Sequence, residues 1–167
     1  HIIVLSAIGG AMINFAINLI VVLIFAAING VKVEWSLVAF IPFLFIELFL
    51  LAFGVALLLS ALFVKFRDLG QIWEVVMQAG LYATPIIYSI GFVRERSVLA
   101  AKLIMLNPLA QIIQDARYIL MDRANIPIWQ LSHNWMYILF PYVVPVFVFA
   151  IGLMVFNKNA KRFAEII

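Results

Sequence analysis

The sequence predicts an all-α integral membrane protein: four transmembrane helices, plus two short re-entrant or interfacial helices on the external side. Three observations carry this expectation. The 167 residues are 67% hydrophobic and only 11% charged, with a mean hydropathy of +1.17. A water-soluble domain of that length needs more charge than this to cover its surface. Four stretches approach the roughly 20 apolar residues that a helix needs to cross the hydrocarbon core. Many of the charges fall in the joins between these stretches, where a hairpin meets water.

The first expected span is roughly 2–28. Asn14 and Asn18 lie one turn apart in it, with Ala7 and Ala11 on the same side, a pattern that predicts hydrogen bonds to a neighbouring helix. The join "NGVKVEW" (29–35) carries an Asn-Gly turn signal. The second span is roughly 37–63, with Pro42 near its start, where a missing N–H costs least. Within it Glu47, Gly54 and Ala61 recur every seven residues and so share a face. A face of small residues allows helices to approach closely. Glu47 has two readings. It reaches interfacial water or a neighbouring helix, or it lines a polar route, since ionisable groups within spans are often functional.

The turn "KFRDLG" (65–70) joins two long apolar segments. Asp68 suits an N-cap, and Gln71 three residues on gives the capping-box spacing. The third span is expected over roughly 70–90. Gln71, Glu74, Gln78 and Tyr82 follow 3, 4, 4 spacing and form one polar stripe. A stripe facing lipid is unfavourable, so it faces protein or water. Helix packing and a conduit wall both meet that requirement. Pro85 predicts a kink or helix end. Around it cluster Tyr82, Tyr88 and Phe92. Aromatics at this level ordinarily form an interface belt, and aromatic faces also stack on sugar rings.

Residues 91–134 form the external region, expected as two short helices and a "DRANIPIW" turn. "SVLAAKLIM" and "LAQIIQDARYILM" are too short to cross, and Asn107-Pro108 between them marks a turn and a helix start. Asp115, Arg117, Asp122 and Arg123 are scattered, and are expected at solvated ends or in local ion pairs. The fourth span is roughly 135–156. No internal repeat divides the chain, so 1–167 reads as one membrane domain.

Orientation rests on Lys and Arg. Lys65, Arg67, Lys158, Lys161 and Arg162 fall on one side. Lys32, Arg94, Arg96, Lys102, Arg117 and Arg123 fall on the other. The first set lies in shorter segments, which weigh more, and this places the 64–70 turn and the C-terminus in the cytoplasm. The chain opens on His1 directly before an apolar run, without Met or a basic leader. It is expected to lack the N-terminal part of a longer subunit.

Several chemistries lack the residues they need. There is no cysteine for disulfides, thiolate metal sites or Cys nucleophiles. His1 and His133 are far apart in sequence, and no metal site is expected. No basic run with interleaved aromatics suggests nucleic acid. No G-x-x-x-x-G-K-[ST] occurs, so ATP binding by a P-loop is not expected on this chain.

Three pieces together resemble a known family. "FRDLGQIWEVVMQAGLYATPIIYS" is similar to the F-R-D, apolar helix, S/T-P-x-x-Y pattern of type-2 ABC exporter permeases. "LNPLAQIIQDARYIL" resembles their L-N-P-L and the Arg-bearing amphipathic helix that follows it. "KRFAEII" resembles the ending of the polysaccharide branch, which exports O-antigen, teichoic acid and related lipid-linked glycans. The resemblance covers nearly the whole chain. It implies a multi-pass subunit of the bacterial cytoplasmic (inner) membrane, with six spans, working as a homodimer around a conduit. It implies a separate cytoplasmic ATP-binding subunit that holds ATP and Mg, and no cofactor on this chain. The expected function is therefore export of lipid-linked polysaccharide by a transport subunit that is not itself an enzyme, with membrane lipids and the glycan as further partners. Conduit candidates are Glu47, Glu74, Gln78, Tyr82, Tyr88 and Phe92, with Trp35 a further aromatic. Lys65, Arg67 and Asp68 are candidates for contact on the ATPase side. An exporter of drugs or small hydrophobic molecules shares the fold but needs an apolar cavity. A membrane-embedded enzyme of lipid or glycan assembly usually shows clustered Asp, His or Arg, which this chain does not.

Overall fold

The computed structural model describes residues 2–31, 36–64, 66 and 68–163, and among them every regular element is helical. The order is α1 (Ile2–Ile28), a 3₁₀ turn (Val38–Phe40), α2 (Ile41–Phe63), α3 (Leu69–Ala83) and α4 (Ile90–Arg96). There follow α5 (Val98–Met105), α6 (Pro108–Leu120), α7 (Ile128–Leu131) and α8 (Trp135–Phe163).

Local chemistry sets the ends of these helices. Gly30 takes a φ of 68°, the left-handed turn that the Asn-Gly pair predicts. Its N–H bonds to the Ala27 carbonyl, and that of Val31 to Ala26, which closes α1. Pro42 stands in the first turn of α2. Asn107 caps α6 by accepting from the Leu109 N–H at 3.0 Å, and Pro108 opens that helix. Ser89 and Ser97 cap α4 and α5 in the same manner.

Among the described residues, three helical stretches are long and apolar enough to cross a membrane: Val4–Ile28, Val38–Phe63 and Trp135–Asn159. These match the first, second and fourth expected spans. The third does not form one helix over 70–90. α3 has 15 residues, about 22 Å of rise, against roughly 30 Å of hydrocarbon. Its end has a physical cause. The ring of Pro85 drives Thr84 out of the helical region, to φ −108° and ψ 134°. Residues 91–134 are also more divided than expected. α5 and α6 match the two short helices, while α4 and α7 are additional.

The centre of the fold is α2 against α8. A Cβ built on Gly54 would stand 2.6 Å from the backbone nitrogen of Phe149, and one on Gly152 would stand 2.5 Å from the Gly54 carbonyl oxygen. The small-residue face of α2 is therefore used as its spacing predicts, and Glu47, Gly54 and Ala61 are all buried. Ile8, Phe53 and Leu57 close the core around it. A second cluster, of Leu44, Ile112, Ile119 and Leu120, holds α6 on α2 and α1. A third, including Ile90, Met105, Ala110 and Ile128, ties α4 to α7 together beneath Tyr137 and Tyr142 of α8.

Candidate functional site

Two regions gather polar chemistry, a buried junction of α2, α6 and α8 and the broken end of α3. At the junction, α6 presents a helical stripe. Ile112, Asp115 and Ile119, spaced 3 and 4, are all buried, with Gln111 and Gln114 beside them. The Tyr142 hydroxyl donates to Asp115 Oδ2 at 2.5 Å. Gln111 Nε2 donates to the same oxygen at 2.6 Å. Glu47 of α2 lies beside Asp115 and Gln111, and it is 3% exposed. Neither of its oxygens has a hydrogen-bond partner in bonding geometry. Burial pushes the Asp115 carboxyl up to about 6, against the opposing hydrogen bonds from Tyr142 and Gln111. A cavity of about 460 Å³ reaches Asp115 and Tyr142 between the apolar walls of Phe40, Phe43, Trp129 and Leu139.

Two prolines of α8 stand at this level. Pro141 and Pro145 are inside the helix and fully buried. A proline has no N–H, so the carbonyls of Tyr137 and Pro141 lose their usual partners one turn on. The Tyr137 hydroxyl donates to the Lys102 carbonyl at 2.6 Å, which ties α8 to α5.

The second region begins where α3 stops. Arg117 of α6 donates from Nη1 to the Pro85 carbonyl and from Nη2 to the Ile86 carbonyl, each at 2.7 Å. The planar guanidinium thereby satisfies two carbonyls freed by the break. Asn107 Nδ2 donates to Thr84 Oγ1 at 3.2 Å. The Tyr88 hydroxyl donates to the Tyr82 carbonyl at 3.0 Å. Arg96 lies over the Phe92 ring, 4.7 Å from its centre.

The expected site residues are thus distributed over both regions. Glu74, Gln78 and Tyr82 are exposed along α3, and Tyr88 folds back onto Tyr82. Phe92 is exposed on α4. Glu47 is set apart from them, in the junction. Of its two readings, contact with a neighbouring helix is the one this placement fits. Asp68 stands at the N-cap position of α3, but its side chain makes no capping hydrogen bond. Lys65, Arg67 and Trp35 lie outside the described residues.

Two expectations are corrected. Asn14 and Asn18 are exposed, and Asn18 Nδ2 donates to the Asn14 carbonyl within α1 itself. A side-chain amide one turn on is the nearest donor, and among the described residues no other helix covers that face. Asp115 is buried and Arg117 half-buried, and the two are not paired with each other, because α6 lies against α2, α8 and the 84–86 segment. The sequence signal for Asp115 was its place within the stripe of Ile112 and Ile119. Arg117 had no local signal.

Comparison with known proteins places this arrangement. The model of the ABC-2 type transporter family matches residues 1–121. The chain belongs to the ABC-2 type transporter family. The matched part takes in α1 to α6, and so includes Glu47, Asp115 and Arg117. Two proteins of Klebsiella pneumoniae, each named O-antigen export system permease protein RfbA, are similar over 154 residues, at 30% and 29% identity. The aligned part is 92% of this chain and 55% of each relative. The chain therefore spans about half the length of the curated relatives it matches. As an ABC-2 permease it is a membrane transport component, and its apolar helices agree with that.

Proposed function

We propose that this chain is the greater part of the membrane domain of an ATP-driven exporter that moves a lipid-linked polysaccharide across the bacterial inner membrane. The observation that carries this reading is the similarity to O-antigen export permeases over 92% of the chain. A homodimer encloses the conduit, and a separate ATP-binding subunit supplies the work. α3 serves as a fourth, interrupted span whose polar face lines the conduit. Glu74 stands at its cytoplasmic mouth, with Gln78 and Tyr82 further along. Tyr82, Tyr88 and Phe92 present aromatic faces to sugar rings near the break. The Asp68 turn, with Lys65 and Arg67, docks on the ATP-binding subunit. α4 to α7 enter and leave on the outer face.

The chemistry asked of the protein is positional. A glycan needs hydrogen-bonding and aromatic surface along its route, and the stripe of α3 offers both. Its lipid anchor needs an apolar boundary, which the exposed Ile72, Val75 and Val76 provide on the same helix. A drug exporter has less support, since both relatives carry a glycan-export name. A membrane enzyme has less support, since among the described residues the buried acids are only Glu47 and Asp115.

The test uses the full-length permease with its cognate ATP-binding subunit. The two are expected to purify as one complex, and the permease without its partner to hydrolyse no nucleotide. Deleting the permease gene should leave the lipid-linked glycan on the inner face of the membrane. Normal appearance of the glycan outside such cells would overturn the reading.

A further inference from the structure

We propose that Glu47 and Asp115 form a proton-binding site that holds α6 against α2 and α8. The inference concerns how this membrane domain is held and released, and it does not depend on which substrate is carried.

The argument is a count of donors and acceptors. Among the described residues, five buried side-chain oxygens of the junction helices have no hydrogen-bond partner: Glu47 Oε1 and Oε2, Gln111 Oε1, Gln114 Oε1 and Asp115 Oδ1. The unpartnered buried donor is Gln114 Nε2. Gln111 and Gln114 are both 0% exposed, and Gln111 points its amide at Asp115. The junction is therefore short of donors. A proton on a carboxyl converts an acceptor into a donor and removes a buried charge in the same step. Asp115 Oδ2 already accepts twice, from Tyr142 and Gln111. Glu47, with both oxygens free beside Gln111 and Asp115, is where an added proton supplies the missing donor.

Among the described residues, the surroundings supply no compensating cation. On Glu47 bear Asp115 and Gln111 from α6, and Tyr142 stands across from α8. α1 packs on α2 and has no ionisable residue. α3 meets α2 through Gly70 and Phe63, at the other end of α2 from Glu47. α5 carries Lys102, whose carbonyl is bonded by Tyr137, and α7 carries no charge. Arg117 is committed to Pro85 and Ile86. Two ionised carboxylates here would repel each other in a low-dielectric setting, with no cation among the described residues beside them.

The site also has an entrance and an exit for its effect. The cavity lined by Phe40, Phe43 and Trp129 reaches Asp115, and is the path by which protons exchange. Loss of the proton places like charges between α6 and the frame of α2 and α8. α6 in turn carries Arg117, which clasps the broken end of α3. The proton state is thereby coupled to the α3 break. The direction follows from the carboxyl held up at about 6 in Asp115, whose ordinary value is 3.8. The docked state binds more protons than the undocked one across that interval, so docking is strongest below it and weakens as pH rises through about 6.

The experiment uses the full-length permease in lipid nanodiscs, stepped from mildly acid to alkaline buffer. Infrared difference spectra should show a protonated-carboxyl band that fades as pH rises, and that E47Q and D115N each remove or shift. Hydrogen exchange of residues 84–88 should speed up several-fold over the same steps in the wild type. In E47Q the rise should be markedly smaller, because glutamine keeps a donor and leaves one ionisable carboxyl, Asp115, in place of two. A band unchanged in both variants overturns the proposal. So does the same exchange profile in wild type and E47Q. Exchange that responds to added sodium or calcium but not to pH would make this a cation site, and would equally overturn it. D115N gives the second reading should E47Q fail to fold.

Discussion

The pair α2–α8 and the helix α3 follow opposite rules. α2 and α8 approach until glycine is the only residue their backbones allow at Gly54 and Gly152. α3 buries none of its residues and touches α2 only lightly, through Gly70 and Phe63. In lipid there is little hydrophobic drive to bring two apolar helices together, so close backbone packing has to do it. α2 and α8 have the small residues for that, and α3 does not. The frame is thus satisfied within one chain. α3 carries a stripe of Gln71, Glu74, Gln78 and Tyr82 that hydrocarbon cannot accept. A polar surface left uncovered by the described residues calls for a neighbour or for water.

The largest effect is expected in the frame. Gly54→Val places side-chain carbon on the backbone of Phe149, which cannot rotate away. Overpacking typically costs about 1–3 kcal/mol, and a backbone obstacle puts this variant at the upper end. Thermal unfolding in detergent should show it, together with a fall in recovered protein. Gly10→Ala in α1 is the control, since beyond its chain neighbours and its own helix backbone nothing described lies within 4 Å of its built Cβ. A Gly54→Val permease as stable as the wild type would break the contrast between frame and α3.

Next is the clasp that joins the two regions. Arg117→Ala removes two short bonds from a charged donor and leaves the Pro85 and Ile86 carbonyls open. Hydrogen bonds to charged groups contribute about 1.5–3 kcal/mol. Hydrogen exchange at residues 84–88 should rise sharply, while α2 and α8 keep their protection. Arg117→Lys should recover part of the loss, because an ammonium lacks the fork that spans two carbonyls. Equal exchange in all three proteins would show that α6 does not hold the α3 break.

Features that rest on neighbouring residues were legible in the sequence. The recurrence of Glu47, Gly54 and Ala61 marked the packed face of α2, Asn107-Pro108 marked the start of α6, and Pro85 marked the end of α3. Features that rest on distant residues were not. Asp115 meets Tyr142 across 27 positions, and Arg117 meets Pro85 across 32. Charge spacing alone therefore read them as scattered. The third expected span, over 70–90, is broken and not continuous, at the proline that predicted a kink or helix end. Apolar composition continued past Pro85, while the backbone could not. Asn14 and Asn18 show the converse, polar residues whose spacing suggested a partner helix and whose bond stays inside α1.

A smaller effect on folding, with a larger one on transport, is expected along α3. Gln78→Leu removes a polar group from an exposed face and opens no cavity. On the proposed reading, stability and dimer assembly should be unchanged, and glycan export should fall. The paired measurement is export in cells beside the oligomeric state of the purified protein. Should the dimer dissociate while export persists, the stripe is a packing surface.

The smallest effect on stability is expected at Asp68, and it sharpens the comparison between the turns that open α3 and α6. Both turns carry a residue suited to capping. Asn107 uses it, with Oδ1 on the Leu109 N–H and Nδ2 on Thr84. Asp68 holds the same position at α3 with a helical backbone, φ −82° and ψ −1°, and makes no capping bond. Removing a working cap costs about 1 kcal/mol, so Asn107→Ala should lower stability by that amount or more, given its second bond. Asp68→Ala should change it by under about 0.5 kcal/mol, the range of surface changes that remove no specific feature. A residue that suits a cap and does not form one is available for a partner. On the proposed reading that partner is the ATP-binding subunit, so Asp68→Ala should weaken complex formation while unfolding stays the same. Co-purification and unfolding measured on the same preparation separate the two roles. A stability loss as large as that of Asn107→Ala, with the complex intact, would make Asp68 a cap and remove it from the docking surface.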